Sequence, residues 1–220
     1  MTTLWLTRIL PSLRAREVRR DLASAVSMHH RLMKLFPDGV GHQPRRQLGV
    51  LFRTEDQGTS PVILLQSQVR PDLSRLPTDY GHAETKDLSP LLHALRTGIT
   101  VRYRITANAV RKPGHTTRAT TGAPPVIPLT GADADQWWQR QAEENTGLRL
   151  SAIQSTPLDT ARGTHAHDKS PVTHARTRFD GTAYVNDPDL LRRRILDGIG
   201  RGKSYGCGLL TLAPATRRSA

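Results

Sequence analysis

Residues 4–37 read Leu4-Trp5-Leu6-Thr7-Arg8-Ile9-Leu10-Pro11-Ser12-Leu13-Arg14-Ala15-Arg16-Glu17-Val18-Arg19-Arg20-Asp21-Leu22-Ala23-Ser24-Ala25-Val26-Ser27-Met28-His29-His30-Arg31-Leu32-Met33-Lys34-Leu35-Phe36-Pro37. Residues 4–10 have the composition of a strand, and Pro11 ends it. Residues 14–36 then predict one long helix. Val18, Leu22, Ala25, Leu32 and Phe36 recur at spacings of three, four and seven and make an apolar stripe. Pro37-Asp38-Gly39 stops it. Residues 48–53 and 61–66 predict a hairpin around a turn at 55–60, and 72–76 a short second helix. Residues 88–95 fit either a fourth strand or a short helix. The order β-α-β-β-α-β is that of a ferredoxin-like (RRM-like) unit.

A second cycle follows. Residues 99–107 alternate Val101, Tyr103 and Ile105 against Arg102 and Arg104, a half-buried strand. Residues 109–125 are rich in Thr, Gly and Pro and predict a loop. Residues 133–147 predict a helix with Trp137 and Trp138 as anchors. Residues 148–155 and 172–184 predict strands on either side of a loop at 160–170. Residues 187–197 predict a helix capped by Asn186 or Asp187, and 209–213 a closing strand. The expected fold class is therefore α+β: two tandem ferredoxin-like (βαββαβ) domains, over residues 1–95 and 96–220, with a C-terminal glycine-rich loop. A chain of 220 residues has room for two domains of about 100 residues each.

Charge narrows the partner. Lys and Arg number 32 against 19 Asp and Glu, a net charge of +13 with a pI near 11.1. Such a balance points to a polyanion. Arginine dominates lysine, which suits bidentate phosphate contacts and equally suits solvated faces. Aromatics at 5% are too few for broad base-stacking platforms. The single cysteine, Cys207, allows no intrachain disulfide and fits a reducing, cytoplasmic location. Residues 1–10 are too short and too interrupted by Arg8 for a signal or membrane segment, and no run approaches the roughly 20 apolar residues that span a bilayer.

The loop Gly198-Ile199-Gly200-Arg201-Gly202-Lys203-Ser204-Tyr205-Gly206-Cys207-Gly208 holds the densest chemistry. Its glycines let a backbone approach a ligand, and Arg201 and Lys203 add cations, so a phosphate is the expected occupant. Gly202-Lys203-Ser204 ends like a Walker loop, but the required first glycine is Asp197, and the loop runs from helix to strand instead of strand to helix. No dinucleotide fingerprint occurs. A turn with incidental glycines is the plain alternative.

His29 falls on the apolar stripe, where partial burial would keep it neutral and able to accept a proton. A satisfied core histidine is the simpler reading of that residue taken alone. His30 points about 100° away and is a rival. His165-Ala166-His167-Asp168 with His174 lacks the spacing of a metal motif, so no metal and no cofactor is expected. Ser204 and Cys207 lack a neighbouring base.

Four stretches together resemble the CasE family, the CRISPR repeat-processing endoribonucleases of type I-E Cascade systems. They are Leu4-Trp5-Leu6-Thr7-Arg8; Arg20-Asp21-Leu22 with Met28-His29, Arg31 and Leu35-Phe36-Pro37; Val62-Ile63-Leu64-Leu65-Gln66-Ser67 with Arg102, Arg104 and Ala107-Asn108; and the glycine loop through Gly206-Cys207-Gly208-Leu209-Leu210 to Leu212-Ala213-Pro214. The resemblance implies tandem ferredoxin-like domains that bind a CRISPR repeat RNA hairpin along one basic face and in the groove between them. It implies metal-independent cleavage at the 3′ base of the hairpin. The RNA's own 2′-OH attacks, leaving a 2′,3′-cyclic phosphate and a 5′-OH, and the product crRNA stays bound among other Cascade subunits.

Carried over by position, His29 is the catalytic histidine and Lys34 a candidate for the transition-state cation, although five residues on an ideal helix separate the two by about 140°. Where some relatives carry a tyrosine three residues before the histidine, this chain has Val26, so that tyrosine's role is either absent or supplied by a residue such as His30 or Tyr205. Arg102, Arg104, Arg111, Lys112, Arg176 and Arg178 are the candidates for hairpin-backbone contacts, with Arg201, Lys203 and Ser204 in the glycine loop. The competing readings are a non-cleaving structured-RNA scaffold of the same fold and a ribosomal-type RNA-binding protein. Cleavage at a repeat hairpin separates the first reading from both.

Overall fold

The computed structural model describes residues 3–58, 60–113, 126–164 and 170–215. Two four-stranded antiparallel sheets organise it. The first contains β1 (Trp5–Pro11), β2 (Leu51–Gln57), β3 (Ser60–Ser67) and β4 (Gly81–Asp87) in the order β2-β3-β1-β4. The second contains β5 (Thr100–Ala107), β8 (Leu148–Thr164), β9 (Pro171–Val185) and β10 (Leu210–Pro214) in the order β10-β5-β9-β8. Read from the β4 edge of the first sheet and the β10 edge of the second, each has its unit's fourth strand beside its first, then its third, then its second, which makes both units ferredoxin-like. A short ladder joins β6 (Val110–Arg111) to β7 (Ile127–Pro128).

Two helices cover the first sheet where one was expected: α1 (Arg16–Ala23) and α2 (Ala25–Met33). Ser24 between them is extended at φ −138°, ψ 115°, and its hydroxyl caps α2 by accepting from the Ser27 N–H at 3.2 Å. The cause of the break is a buried ion cluster. Asp21, 1% exposed, accepts from Arg31 Nε at 2.8 Å and from the Tyr80 hydroxyl at 3.3 Å. Arg31 also pairs with Glu17 and lies 5.4 Å from the Tyr80 ring centroid. The cluster ties the two helices together beneath the segment that carries His29. Ile9, Val18, Met28, Leu32, Phe36, Ile63 and Leu65 pack the core between these helices and the sheet.

Other boundaries also differ from expectation. The fourth strand of the first unit is Gly81–Asp87, a polar edge strand, and of the two readings of 88–95 the short helix holds, as α4 (Ser89–Ala94). The expected second helix at 72–76 is a single 3-10 turn at Leu73–Arg75. The β2–β3 turn is tighter than 55–60, because β2 runs to Gln57 and β3 starts at Ser60. Strand β9 stands within one residue of the expected 172–184 at each end, but β8 runs on from the expected 148–155 to Thr164, so 160–164 of the expected 160–170 loop are strand and residues 165–169 lie outside the described residues. A further short helix, α3 (Pro44–Gln47), was not anticipated.

In the second unit, α5 (Gly131–Asn145) and α6 (Pro188–Asp197) cover the sheet, with Trp138, Phe179, Ile105 and Leu191 at the centre of its core. Leu4, Leu92 and Leu95, though early in the chain, belong to this second core. No helix among the described residues is long and apolar enough to cross a membrane.

Removing one partner from a buried ion pair leaves an uncompensated charge that costs about 3–5 kcal/mol. Asp21→Ala is therefore expected to lower unfolding free energy by about 3 kcal/mol in urea titration, whereas exposed Arg14→Ala should change it by less than about 0.5 kcal/mol.

Candidate active site

Helix α2, the short helix α3 and the glycine loop converge at one place. His29 is partly buried, and its buried Nδ1 has no hydrogen-bond partner among the described residues. Burial first, then the neighbouring His30 and the Arg45 guanidinium, push its pKa down to about 4. The imidazole is thus neutral at pH 7. His30 is exposed, its ring centroid 6.0 Å from that of His29.

Arg45 lies on α3, where Pro44 starts the helix and the Arg45 guanidinium donates to the Val50 carbonyl at 3.1 Å. Its pKa is lowered by burial and by Arg46, with Asp197 opposing. Lys203 of the glycine loop donates to the Asp197 carbonyl at 2.9 Å. Burial pushes its ammonium below the ordinary range, and Arg45, Arg194 and Arg46 add to the effect while Asp197 opposes it. Arg45 therefore acts on both His29 and Lys203, which come from different halves of the molecule. Nothing in a solvated Gln-Pro-Arg-Arg run marks Arg45 and Arg46 for this place, and sequence reading missed both. The only available hint was the arginine doublet directly after a helix stop.

The glycine loop docks on the first sheet. Gly198, the C-cap of α6, has φ +75°, and a Cβ built on it would fall 2.6 Å from the Leu51 side chain. A Cβ on Gly208 at φ +87° would meet the Ile199 carbonyl oxygen at 2.6 Å. Lys203, Ser204 and Tyr205 form a 3-10 turn flanked by the left-handed Gly202 and Gly206. The expectation of a cradle of exposed N–H groups is only partly met. The N–H groups of Ile199, Tyr205, Cys207 and Gly208 donate within the protein, to Gly208, Gly202, Gly202 and Thr106. Gly200 and Arg201 are exposed, and Ser204 is half-buried. Cys207 is buried, its thiol pushed up to about 12, so it is no nucleophile at neutral pH.

The other predicted residues separate. Lys34 is the exposed C-cap of α2. Arg102, Arg111 and Lys112 are exposed. Arg176 donates to the Asp159 carbonyl at 2.7 Å across the β8–β9 hairpin. Arg104 and Arg178 are committed within the protein: Arg104 pairs with Asp180 and with Glu55, and Arg178 with Asp180 at 2.8 Å. Val26 is buried, and a Cβ on Gly163 of β8 would lie 2.7 Å from its Cγ2, so the hairpin backbone fills the space beside that position. His165, His167 and Asp168 lie outside the described residues. Among the described residues no three His, Cys, Asp or Glu side chains converge. Asp187 and Asp189 have the spacing of a metal pair, but Asp187 caps α6 and Asp189 pairs with Arg192 at 2.5 Å.

A family model described as CRISPR associated protein matches residues 4–214. The chain is 30% identical to the CRISPR-associated endoribonuclease Cse3 of Thermus thermophilus over 223 residues, covering 96% of this chain and 100% of the relative. It is 26% identical to the CRISPR system Cascade subunit CasE of Escherichia coli, covering 91% and 96%. The structure of T. thermophilus Cse3 bound to an RNA representing a pre-cleavage complex is similar with a TM-score of 0.78 at 29% identity, covering 96% of this chain and 100% of that one.

The electrostatics make a direct expectation. The His29 imidazole should titrate by NMR with a midpoint near pH 4, and Arg45→Ala should raise that midpoint. Because the folded-state pKa lies below the ordinary 6.5, the neutral form favours the fold. That contribution is complete above pH 6.5 and is lost as pH falls towards 4. His29→Gln should remove this part of the acid destabilisation.

Proposed function

The chain belongs to the CRISPR-associated CasE/Cse3 family, and from that premise we propose that it is an endoribonuclease that cuts the repeat hairpin of precursor CRISPR RNA without a metal and keeps its product as a Cascade subunit. The observation that carries this reading is a neutral, partly buried histidine beside the Arg45 guanidinium, which also acts on Lys203 of the glycine loop. His29 takes the proton of the 2′-OH whose oxygen attacks the adjacent phosphorus. The bond from phosphorus to the 5′ oxygen breaks, and that oxygen receives a proton. The ends are a 2′,3′-cyclic phosphate and a 5′-OH. Arg45 and Lys203 would supply the cations for charge developing on the pentacoordinate phosphate, the task assigned to Lys34 on sequence grounds.

The approach of a phosphate opposes every term that lowers the pKa of His29 except its burial. A bound substrate would therefore raise that pKa and let the protonated imidazole hand its proton to the leaving oxygen. Exposed Arg102, Arg111, Lys112 and Arg201 supply cations for the hairpin backbone, whose phosphates rather than base edges are accessible in the deep groove of A-form RNA.

With a labelled repeat hairpin in EDTA, wild-type protein should cleave. His29→Ala should lose about 10²–10⁴-fold in single-turnover rate, Arg45→Ala about 10²-fold, and His30→Ala less than about threefold. The base form of His29 is required, so kcat/KM should stay level from pH 8 down to 5.5 and fall only as pH nears 4. Tight binding without cleavage by the wild type would make the protein a hairpin-binding scaffold, and cleavage dependent on added metal would overturn the mechanism.

A further inference from the structure

A recess of about 810 Å³ opens where β6 and β7 face the middle of the β8–β9 hairpin and the glycine loop. Its walls are apolar at Val110, Pro128 and Ala175, and Lys112 and Arg201 bring cations to it. Among the described residues no acidic one lines it. His174 completes the lining, and its position is constrained. Its ring stacks on Tyr205 with centroids 5.0 Å apart and planes at 20°. A Cβ on Gly202 would come within 3.6 Å of its Cγ, so the bare loop backbone lets the imidazole pack against it. Burial and the nearby Arg201 lower its pKa, which leaves the ring uncharged at neutral pH. Tyr205 belongs to the same three-residue turn as Lys203. The recess therefore adjoins the candidate active site through one stacked pair.

An unpaired nucleotide has the chemistry to match these walls: a flat apolar base with polar edges, on a backbone carrying one negative charge per phosphate. A stem held in A-form keeps its bases stacked inside, so only nucleotides outside the stem can enter. We propose that the recess takes one unpaired nucleotide adjoining the repeat hairpin, its base against Val110, Pro128 and the edge of His174 and its phosphates towards Lys112 and Arg201. The site rests on the endoribonuclease reading and extends it, because it lets the protein read a nucleotide beyond the stem. Apolar walls with two cations, Lys112 and Arg201, and no acidic residue among those described favour RNA over a protein segment as occupant.

The test uses repeat hairpins in which each unpaired nucleotide flanking the stem is replaced in turn by an abasic one. Affinity is measured by gel shift for wild type, for Val110→Trp, which fills the recess, and for Arg201→Gln, which removes a cation without adding bulk; circular dichroism melting checks that each variant folds. One flanking position should be singled out, its abasic hairpin binding wild type about tenfold more weakly than the intact one. The same replacement should cost Val110→Trp less than about twofold, since the base no longer has a place to go. If Val110→Trp does not fold, Pro128→Trp, which fills the same recess, takes its place. The site is overturned if no flanking position changes wild-type affinity by more than twofold, or if the abasic penalty persists in full in every folded variant. Failure of the wild type to bind or cut the intact hairpin overturns the endoribonuclease reading itself, and this site with it; intact binding and cleavage with no abasic effect removes only the site.

Discussion

The guanidinium of Arg53 joins the two halves of the molecule. It lies on β2 of the first sheet and is 3% exposed. It donates to the Arg104 carbonyl at 3.2 Å, the Leu209 carbonyl at 3.1 Å and the Thr211 hydroxyl at 2.8 Å, all in the second unit, while Glu55 balances its charge at 2.7 Å. Glu55 also pairs with Arg104, Arg104 with Asp180, and Asp180 with Arg178, so a chain of ions crosses from one sheet into the other. Gln66 adds a second tie, donating to the Ile195 carbonyl at 2.7 Å. Burial of an arginine costs several kcal/mol unless it is fully paired and hydrogen-bonded. Here the partners that satisfy it come from both units, so the two sheets are held in one relative placement. Leu209 directly follows Gly208, which means the anchor sits at the foot of the glycine loop.

That placement matters because neither half owns the site. His29 and Arg45 come from the first unit, and Lys203 comes from the second. Glycine at 198 and 208 lets the loop lie against Leu51 and close on Ile199 at distances no side chain would tolerate. The consequence is electrostatic. Cations crowded together in a partly buried place depress one another's pKa values and that of the histidine. The repulsion from His30 and Arg45 that adds to burial in keeping His29 neutral would also favour an anionic substrate.

Much of the architecture was legible in the sequence because strand and helix periodicities are local. Ile99–Ala107, the helix after Asp187 and the closing strand stand close to where their patterns put them. The failures were tertiary. The stripe from Val18 to Phe36 runs through Ser24 without interruption, and only the Asp21–Arg31 pair, which no pattern announces, explains the break there. The strand Gly81–Asp87 was invisible because an edge strand with one face in water needs few apolar residues. The edge strand β8 was undercounted for the same reason, its second half being rich in Thr, Arg and exposed side chains. His29 could be picked out from the helical stripe and the family resemblance together. The fates of Arg104 and Arg178 could not, since Arg104 meets Glu55 49 residues away and Asp180 76 residues away. Arg45 entered the site only when α3 folded against the loop.

Cleavage by the RNA's own hydroxyl is the claim on which the roles of His29, Arg45 and Lys203 all rest. The most direct measurement is the mass of the fragment carrying the new 3′ end after single-turnover cleavage of a repeat hairpin in EDTA, alongside a hairpin with one 2′-deoxy nucleotide immediately 5′ of the scissile phosphate. The account predicts a 2′,3′-cyclic phosphate on the all-ribose product and no cleavage of the deoxy substrate. A 3′-OH end, or cutting of the deoxy hairpin at the same bond, would contradict it.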